Sequence, residues 1–423
     1  MRNAILFSSP FFFAGFAGCG PTDVTYSHDV RPLLEEHCLR CHAEGGVAGI
    51  PLERYDEVAP MKELIVSDVE GGVMPPWLAE AGCEDYADDP SLSDAEKALL
   101  RHWMEIGAPE GEATAPSTTT LAAPLATASA LSRVDLELAM AEPYAPRLDL
   151  SDDYRCFLVD WPEEQDLFVT GLGVVPGDTS VVHHVITYVV HPEDVPTARA
   201  SDDLDPGPGW GCFGGPEEAS AGLGGWAPGS PAREYPAGTG ISVPAGSALI
   251  FEVHYHAQGI PAEDTTSVVI KLDPSVEKEA EIIPVTNPAW TEGRGMLIPA
   301  GDAEVTHIFR APVSLMVDKP FVIYDVTAHM HRRGVGESLW IERENGDRDC
   351  VLEVPRWDFD WQLTYVLAQP KVVNPGDTIG IGCTFDNSAE HQPPDDASEL
   401  HDVAWGEGTG DEMCLGFYYV TFQ

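Results

Sequence analysis

Phe321-Val322-Ile323-Tyr324-Asp325-Val326-Thr327-Ala328-His329-Met330-His331 is the stretch around which the rest of the chain can be read. β-Branched and aromatic residues dominate its first half, which predicts a strand. Side chains along a strand repeat with period two, so His329 and His331 share a face and Met330 points to the other. Two imidazoles on one face make half of a metal site. Met413, in Asp411-Glu412-Met413-Cys414, is the candidate third ligand. Two nitrogens and a thioether favour copper, because soft sulfur suits Cu(I). Taken alone, the pair also fits two surface histidines beside a core methionine.

The same grammar extends through the second two-thirds of the chain. From Leu136 onward, short β-branched runs alternate with Gly and Pro, as at 167–169, 181–190, 248–255, 267–272, 321–328 and 378–385. Helical periodicity is nearly absent. Many short strands with turn signals predict β-sandwiches. The expected fold is mainly β, with two tandem antiparallel sandwiches of jelly-roll type at 134–278 and 279–423. A small all-α domain precedes them at 22–112. Residues 113–133, rich in Ala, Thr, Ser and Pro, read as a linker.

The first sandwich carries its own histidines. His183-His184 follows Val181-Val182, and His254 lies in Phe251-Glu252-Val253-His254-Tyr255-His256. Adjacent strand residues face opposite sides, so joint ligation by His183 and His184 requires a bulge or a strongly twisted strand end. Three histidines from two strands would form an all-nitrogen copper site. His256 shares a face with His254, and spacing does not choose between them.

Cys38-Leu39-Arg40-Cys41-His42 is the CxxCH pattern of covalent haem attachment. Both thiols add to the haem vinyl groups, and the adjacent His42 ligates the iron from one side. A zinc half-site or a redox dithiol is the competing reading. Met74, in a loop stiffened by Pro75 and Pro76, is the preferred second axial ligand. His102 is its rival, in a stretch that begins with a good helix cap at Ser93. The segment resembles a small cytochrome c domain over nearly its whole length.

Composition bounds the compartment and the partners. The 423 residues include 70 acidic and 23 basic ones, a formal charge of −47. Such a surface repels nucleic acid and anionic membranes. Residues 1–19 read as a signal peptide, too short in its apolar run to span a bilayer. Phe16-Ala17-Gly18-Cys19 resembles a bacterial lipobox, which predicts lipidation of Cys19; cleavage after Ala17 is the alternative. The expected location is the bacterial periplasm or cell envelope, with membrane contact only through the lipid. Nine cysteines are present. Setting aside Cys19, Cys38 and Cys41 leaves Cys83, Cys156, Cys212, Cys350, Cys383 and Cys414, an even set in an oxidising compartment.

The order His-His, Val-His-Tyr, His-x-His, Asp-Glu-Met-Cys resembles the copper type II, ascorbate-dependent monooxygenases, which include the peptidylglycine α-hydroxylating and dopamine β-monooxygenase enzymes. The resemblance covers residues 152–423 and implies two β-sandwiches, each with one copper, facing each other across a solvent-filled cleft. It implies that His183, His184 and His254 hold an electron-transfer copper, and that His329, His331 and Met413 hold the copper that binds O2 and attacks substrate. It also implies the disulfides Cys156–Cys212 and Cys383–Cys414. Cys83 and Cys350 are left over and form a hypothetical interdomain pair. The peptide-amidating relatives anchor a substrate carboxylate with an Arg, an Asn and a Tyr where this chain has Thr327, Leu415 and Phe417. Peptide amidation is therefore disfavoured, and Arg332 or Arg333 is the remaining anion-binding option. Trp357, Phe359, Trp361 and Tyr365 are candidates for lining a pocket or packing a core. The expected activity is hydroxylation of a C–H bond in a small substrate by O2, using two copper ions. Electrons are relayed through the chain's own haem c from an exported redox protein or small reductant. The alternative is an exported electron-transfer or copper-binding lipoprotein without hydroxylase activity.

Overall fold

The computed structural model describes residues 24–112 except 45 and 47, and residues 131–423 except 151, 213–214, 257–260 and 394–399. The signal peptide, Cys19 and all but the end of the expected linker lie outside the described residues. Among the described residues, no helix is long and apolar enough to cross a membrane.

Strands dominate from Leu136 to Phe422. A five-stranded sheet orders Trp210–Gly211, Asp153–Asp160, Ala248–Tyr255, Val182–Val190 and Ala221–Trp226. A four-stranded sheet orders Val305–Pro312, Thr378–Phe385, Gly334–Glu342 and Arg348–Val354. Both pack against one long sheet. Its path runs Leu136–Ala139, Ser267–Asp273, Leu167–Val175, Thr239–Val243, Lys278–Val285, Leu415–Phe422, Phe321–His329 and Thr364–Val373. The strands of both histidine motifs carry the β-branched and aromatic residues that fit a pleated surface packed on a core. Ala248–Tyr255 is buried at every position, as befits a strand covered on both faces.

Two sandwiches are present, yet they share a sheet. Lys278–Val285 pairs parallel with Thr239–Val243 through Lys278 and Glu279, then antiparallel with Leu415–Phe422 along Ala280 to Val285. The expected boundary at 278/279 therefore falls inside a strand that belongs to both halves. Each half has its own apolar core. One is built around Phe157, Val185, Phe251 and Tyr255 and takes in Tyr419 from the second half; the other is built around Phe321, Leu339, Ile381 and Tyr418.

The small all-α domain expected at 22–112 is not what the structure supports. Its helices are short, the longest being Asp94–Glu105 and Lys62–Glu70, and residues 71–93 contain none. The segment's length is spent on loops that wrap the second sandwich. Asp94–Glu105 is set by a Ser93/Glu96 capping box, which satisfies two of the backbone donors that a helix start leaves free. A separate core of Tyr26, Val30, Leu34, Val58, Leu100 and Trp103 holds the helices together.

The loop 77–88 then docks this segment on the second sandwich. Glu80 N–H donates to Glu353 O, Ala87 N–H to Val366 O, and Ala368 N–H to Asp85 O, at 2.7, 2.8 and 2.9 Å. The Trp77 ring meets Tyr365 edge-on at 4.8 Å. Among the described residues three disulfides are present: Cys83–Cys350, Cys156–Cys212 and Cys383–Cys414. The first staples the docked loop to the strand Arg348–Val354 across a separation of 267 residues. Long closed loops gain most from such a crosslink, and removing a native disulfide typically costs about 2–5 kcal/mol. The double variant Cys83→Ser, Cys350→Ser is expected to unfold its N-terminal segment at lower temperature than the parent. Calorimetry of both would show it, and coincident transitions would mean that the backbone seam alone holds the segment.

Candidate metal centres

The first centre depends on a defect in a strand. Val182 pairs with Tyr255 and His184 with His254, so the register of Val182–Val190 slips at His183. That bulge turns two adjacent side chains to one side. The Nδ1 atoms of His183 and His184 lie 3.1 Å apart, and those of His184 and His254 lie 3.4 Å apart. The three histidines offer ligand atoms that all fall within 4.8 Å of one another. His254, rather than His256, enters the cluster. Its other nitrogen, Nε2, binds Asp152 Oδ1 at 2.8 Å, and His256 Nδ1 reaches the same oxygen at 3.2 Å. Asp152 Oδ2 accepts from Thr409 Oγ1 of the second half at 2.6 Å. Burial alone would raise the Asp152 carboxyl, but hydrogen bonds from His254, His256 and Thr409 hold it far below the usual range.

The second centre is built from the end of Phe321–His329. Period two places Asp325, Thr327 and His329 on one face, with His331 next in line. The paired register ends at His329 and Leu415, two residues short of His331 and of the buried Met413, and the residues that meet His331 across the gap are Asp411 and Glu412. Nδ1 of His329 is 2.6 Å from Gln362 Oε1, and Nδ1 of His331 is 3.3 Å from Asp411 O. With both Nδ1 atoms engaged, the Nε2 atoms are the ones left to ligate. Glu412 accepts the backbone N–H groups of His331 and Arg333 at 3.0 and 2.5 Å, tying the histidine strand to the Met413 loop. The Cys383–Cys414 disulfide clamps the same loop from the other side.

Burial favours the neutral form of His184, His254, His329 and His331, which is the form that binds a metal. It depresses His254 and His329 to about 4 and His331 to about 3, and it holds His184 well below the usual range. Neighbouring imidazoles add to the effect at each position.

The two centres adjoin. The rings of His184 and His329 are 6.4 Å apart, so the expected solvent-filled cleft is closed between them. The shared sheet, the Thr409–Asp152 hydrogen bond and the Arg233–Asp325 ion pair at 2.5 Å draw the halves together. Beside them lies a cavity of about 370 Å³ with His184 and His329 in its wall. Gly222, Gly224 and Gly225 make room for it, and Trp226, Thr327, Phe417 and Tyr419 line it.

Arg333 is not a free anion ligand. It is fully buried, and its guanidinium donates to Asn387 Oδ1, Gly410 O and Gln392 Oε1. Its job is to brace the turn before Met413. Phe359 stacks on His183 at 4.7 Å, and Trp357 Nε1 donates to His331 O at 3.0 Å. Tyr365 packs in the core of the second half.

A second, mainly apolar cavity of about 150 Å³ collects Cys38, Cys41, His42 and Met74. Both thiols are free, and burial pushes Cys38 up to about 12 and raises Cys41. His42 Nδ1 is 2.8 Å from Ile50 O, which leaves Nε2 as the ligating atom. Two free thiols, a backbone-oriented imidazole and a thioether thus share the lining of one apolar cavity. His102 is exposed on Asp94–Glu105 and is not among the lining residues.

Asp152 and Gln362 carried no signal beyond their types. A carboxylate or amide that orients a ligating histidine is recognisable only once the strands are paired.

Residues 293–423 match the family model "Copper type II ascorbate-dependent monooxygenase, C-terminal domain". The chain is also similar to MOXD1 homolog 1 of Drosophila melanogaster, 26% identical over 204 residues that cover 46% of this chain and 28% of that protein. The chain thus spans little more than a quarter of that relative's length. Among solved structures, the infectious bursal disease virus Gx strain aligns with 69% of this chain and 74% of its own, at 10% identity and a TM-score of 0.18. The VP2 subviral particle of the same virus aligns at 6% identity and a TM-score of 0.15. Similarity at this level carries no argument.

Asp152 provides a direct test of the first centre. Losing the partner that orients a ligating histidine typically weakens metal binding by about 10–100-fold. Asp152→Asn is expected to lower Cu(I) affinity at the His183/His184/His254 cluster by that factor in a competitive chelator titration. Unchanged affinity would leave Asp152 with only its link to Thr409.

Proposed function

We propose that the whole chain is a copper-dependent monooxygenase of the copper type II, ascorbate-dependent kind. In this reading it hydroxylates a C–H bond of a small substrate, and a haem held by Cys38, Cys41, His42 and Met74 feeds it electrons. The observation that carries the reading is the meeting of two buried histidine sets at one cavity, the second set lying in the segment that matches the family model. His183, His184 and His254 would hold one copper, their Nδ1 atoms lying together. His329 and His331, with Nε2 left available, would hold the other together with Met413. Bound there, the two ions supply one-electron chemistry by which substrate, O2, two electrons and two protons become alcohol and water.

The protein's own residues do the rest. Asp152, Gln362 and the Asp411 carbonyl fix the tautomers and ring planes, so each imidazole presents a set nitrogen. Thr327, Phe417, Trp226 and Tyr419 form the walls on which a substrate rests, with its C–H bond beside His329. The cation at this wall, Arg233, is neutralised by Asp325, so the cavity suits an uncharged substrate better than a carboxylate. Thr327 and Phe417, where the peptide-amidating enzymes place polar anchors, point the same way. An exported location, with Cys19 as a lipid anchor and an external redox protein or small reductant as donor, completes the proposal.

The test uses copper-loaded, reduced protein, labelled O2 and a library of small neutral metabolites. A product carrying one labelled oxygen is expected from the parent chain. It is expected to vanish in Met413→Ala, while copper at the three-histidine cluster, counted by plasma mass spectrometry, stays bound. Equal O2 consumption by both proteins with no labelled product would leave electron transfer or copper binding as the function.

A further inference from the structure

One short segment touches both metal centres and the cysteine cavity. Phe359 stacks on His183 at 4.7 Å. Gln362 Oε1 lies 2.6 Å from His329 Nδ1, and Gln362 Nε2 donates to Phe359 O at 3.0 Å. Between them in sequence, Trp361 turns the other way and lines the cavity of Cys38, Cys41 and His42, as does Leu363. The backbone sets this divergence: Trp361 N–H donates to Asp358 O and Leu363 N–H to Trp361 O, each at 3.1 Å, so the segment is a tight turn that throws consecutive side chains apart.

Gly229 allows the close approach on the cavity side. A Cβ placed on it would lie 3.3 Å from the Trp361 ring and 3.6 Å from Cys41 Sγ. Its φ of +86° is one that L side chains rarely adopt. Glycine therefore leaves the indole and the thiol facing each other across the width of one missing methyl group. From the indole, one peptide unit leads to the Gln362 side chain, and one hydrogen bond leads from there to His329.

We propose that Trp361 and Gln362 form the electron conduit between the cysteine cavity and the His329/His331/Met413 centre, with Phe359 a branch to His183. The proposal rests on the haem and copper assignments made above. The step moves a single electron: ferrous haem iron is oxidised to ferric, cupric ion is reduced to cuprous, no bond is made or broken, and no proton moves. Trp361 mediates tunnelling and is not itself oxidised or reduced. The conduit meets the oxygen-reacting centre through Gln362 and the His183/His184/His254 centre through the Phe359 branch.

The experiment follows haem oxidation rather than turnover. Copper(II)-loaded holoprotein is given one electron anaerobically by a photogenerated flavin semiquinone, and decay of the ferrous haem absorbance is timed. In the parent chain the decay is expected to be independent of protein concentration. Trp361→Leu is expected to slow it by about tenfold or more, equivalent to about 1.4 kcal/mol of barrier, with Trp361→Phe intermediate. Haem content, haem midpoint potential and the copper electron-paramagnetic-resonance spectrum are expected to stay as in the parent, which a mere packing role would not combine with a slowed decay. An unchanged rate in Trp361→Leu overturns the conduit while leaving the haem assignment intact. Should Trp361→Leu lose haem or copper, Trp361→Phe decides, and an unchanged rate there overturns it equally. Parent protein that carries no covalent haem by intact mass overturns both the haem assignment and the conduit.

Discussion

The double pairing of Lys278–Val285 is the constraint on which the rest depends. A strand bonded to the first half at Lys278 and Glu279 and to the second along Ala280 to Val285 carries the chain from one half to the other without leaving the sheet. An unpaired backbone group buried away from water is costly, so the joint is stiff. Because Leu415–Phe422 and Phe321–His329 follow directly in the same sheet, the position of His329 relative to the first half is set by hydrogen-bond register. That register brings His329 and His184 to 6.4 Å. Side-chain links then close the seam, with Arg233 on Asp325 and Thr409 on Asp152.

A closed seam changes the electrostatics of the histidines. The chain as a whole is strongly acidic, and an exposed imidazole would be drawn toward protonation by that surplus. Burial works the other way and wins at His184, His254, His329 and His331. The acidic groups that do reach the centres accept hydrogen bonds from particular atoms. Asp152 orients His254, and Glu412 holds backbone N–H groups. The acidic groups serve orientation, and burial keeps these four imidazoles neutral.

Much of this was legible in the residues, and the limits have physical causes. Period two made His329 and His331 a pair, and the structure keeps them on one face. The same rule said that His183 and His184 could cooperate only at a bulge, and a bulge is where the register slips. The leftover cysteines Cys83 and Cys350 are joined in the structure. What could not be read was anything set by contact between distant segments. Asp152 is one of many acidic residues until His254 lies beside it. Arg333 read as an anion-binding option, yet three acceptors from the 387–410 region engage it and it is buried. The approach of His184 to His329 could not be read either, because no local pattern announces that one strand will pair with both halves.

The N-terminal segment illustrates the same division. Its CxxCH pattern is local and was readable; where it docks is not. The docking loop lays Trp77 against Tyr365, and the chain beyond Leu363 is the strand that receives it. Residues 357–363 therefore meet three constraints at once. Their C-terminal end must enter a sheet that pairs with both Phe321–His329 and the docked loop. Their middle must reach His183 and His329. Their remaining ring must face Cys41. A tight turn with alternating side-chain directions satisfies all three, and a longer or looser loop would lose at least one. The aromatic run Trp357, Phe359, Trp361 is thus explained by position: each ring faces a different neighbour, and only Tyr365, back in the sheet, is ordinary core.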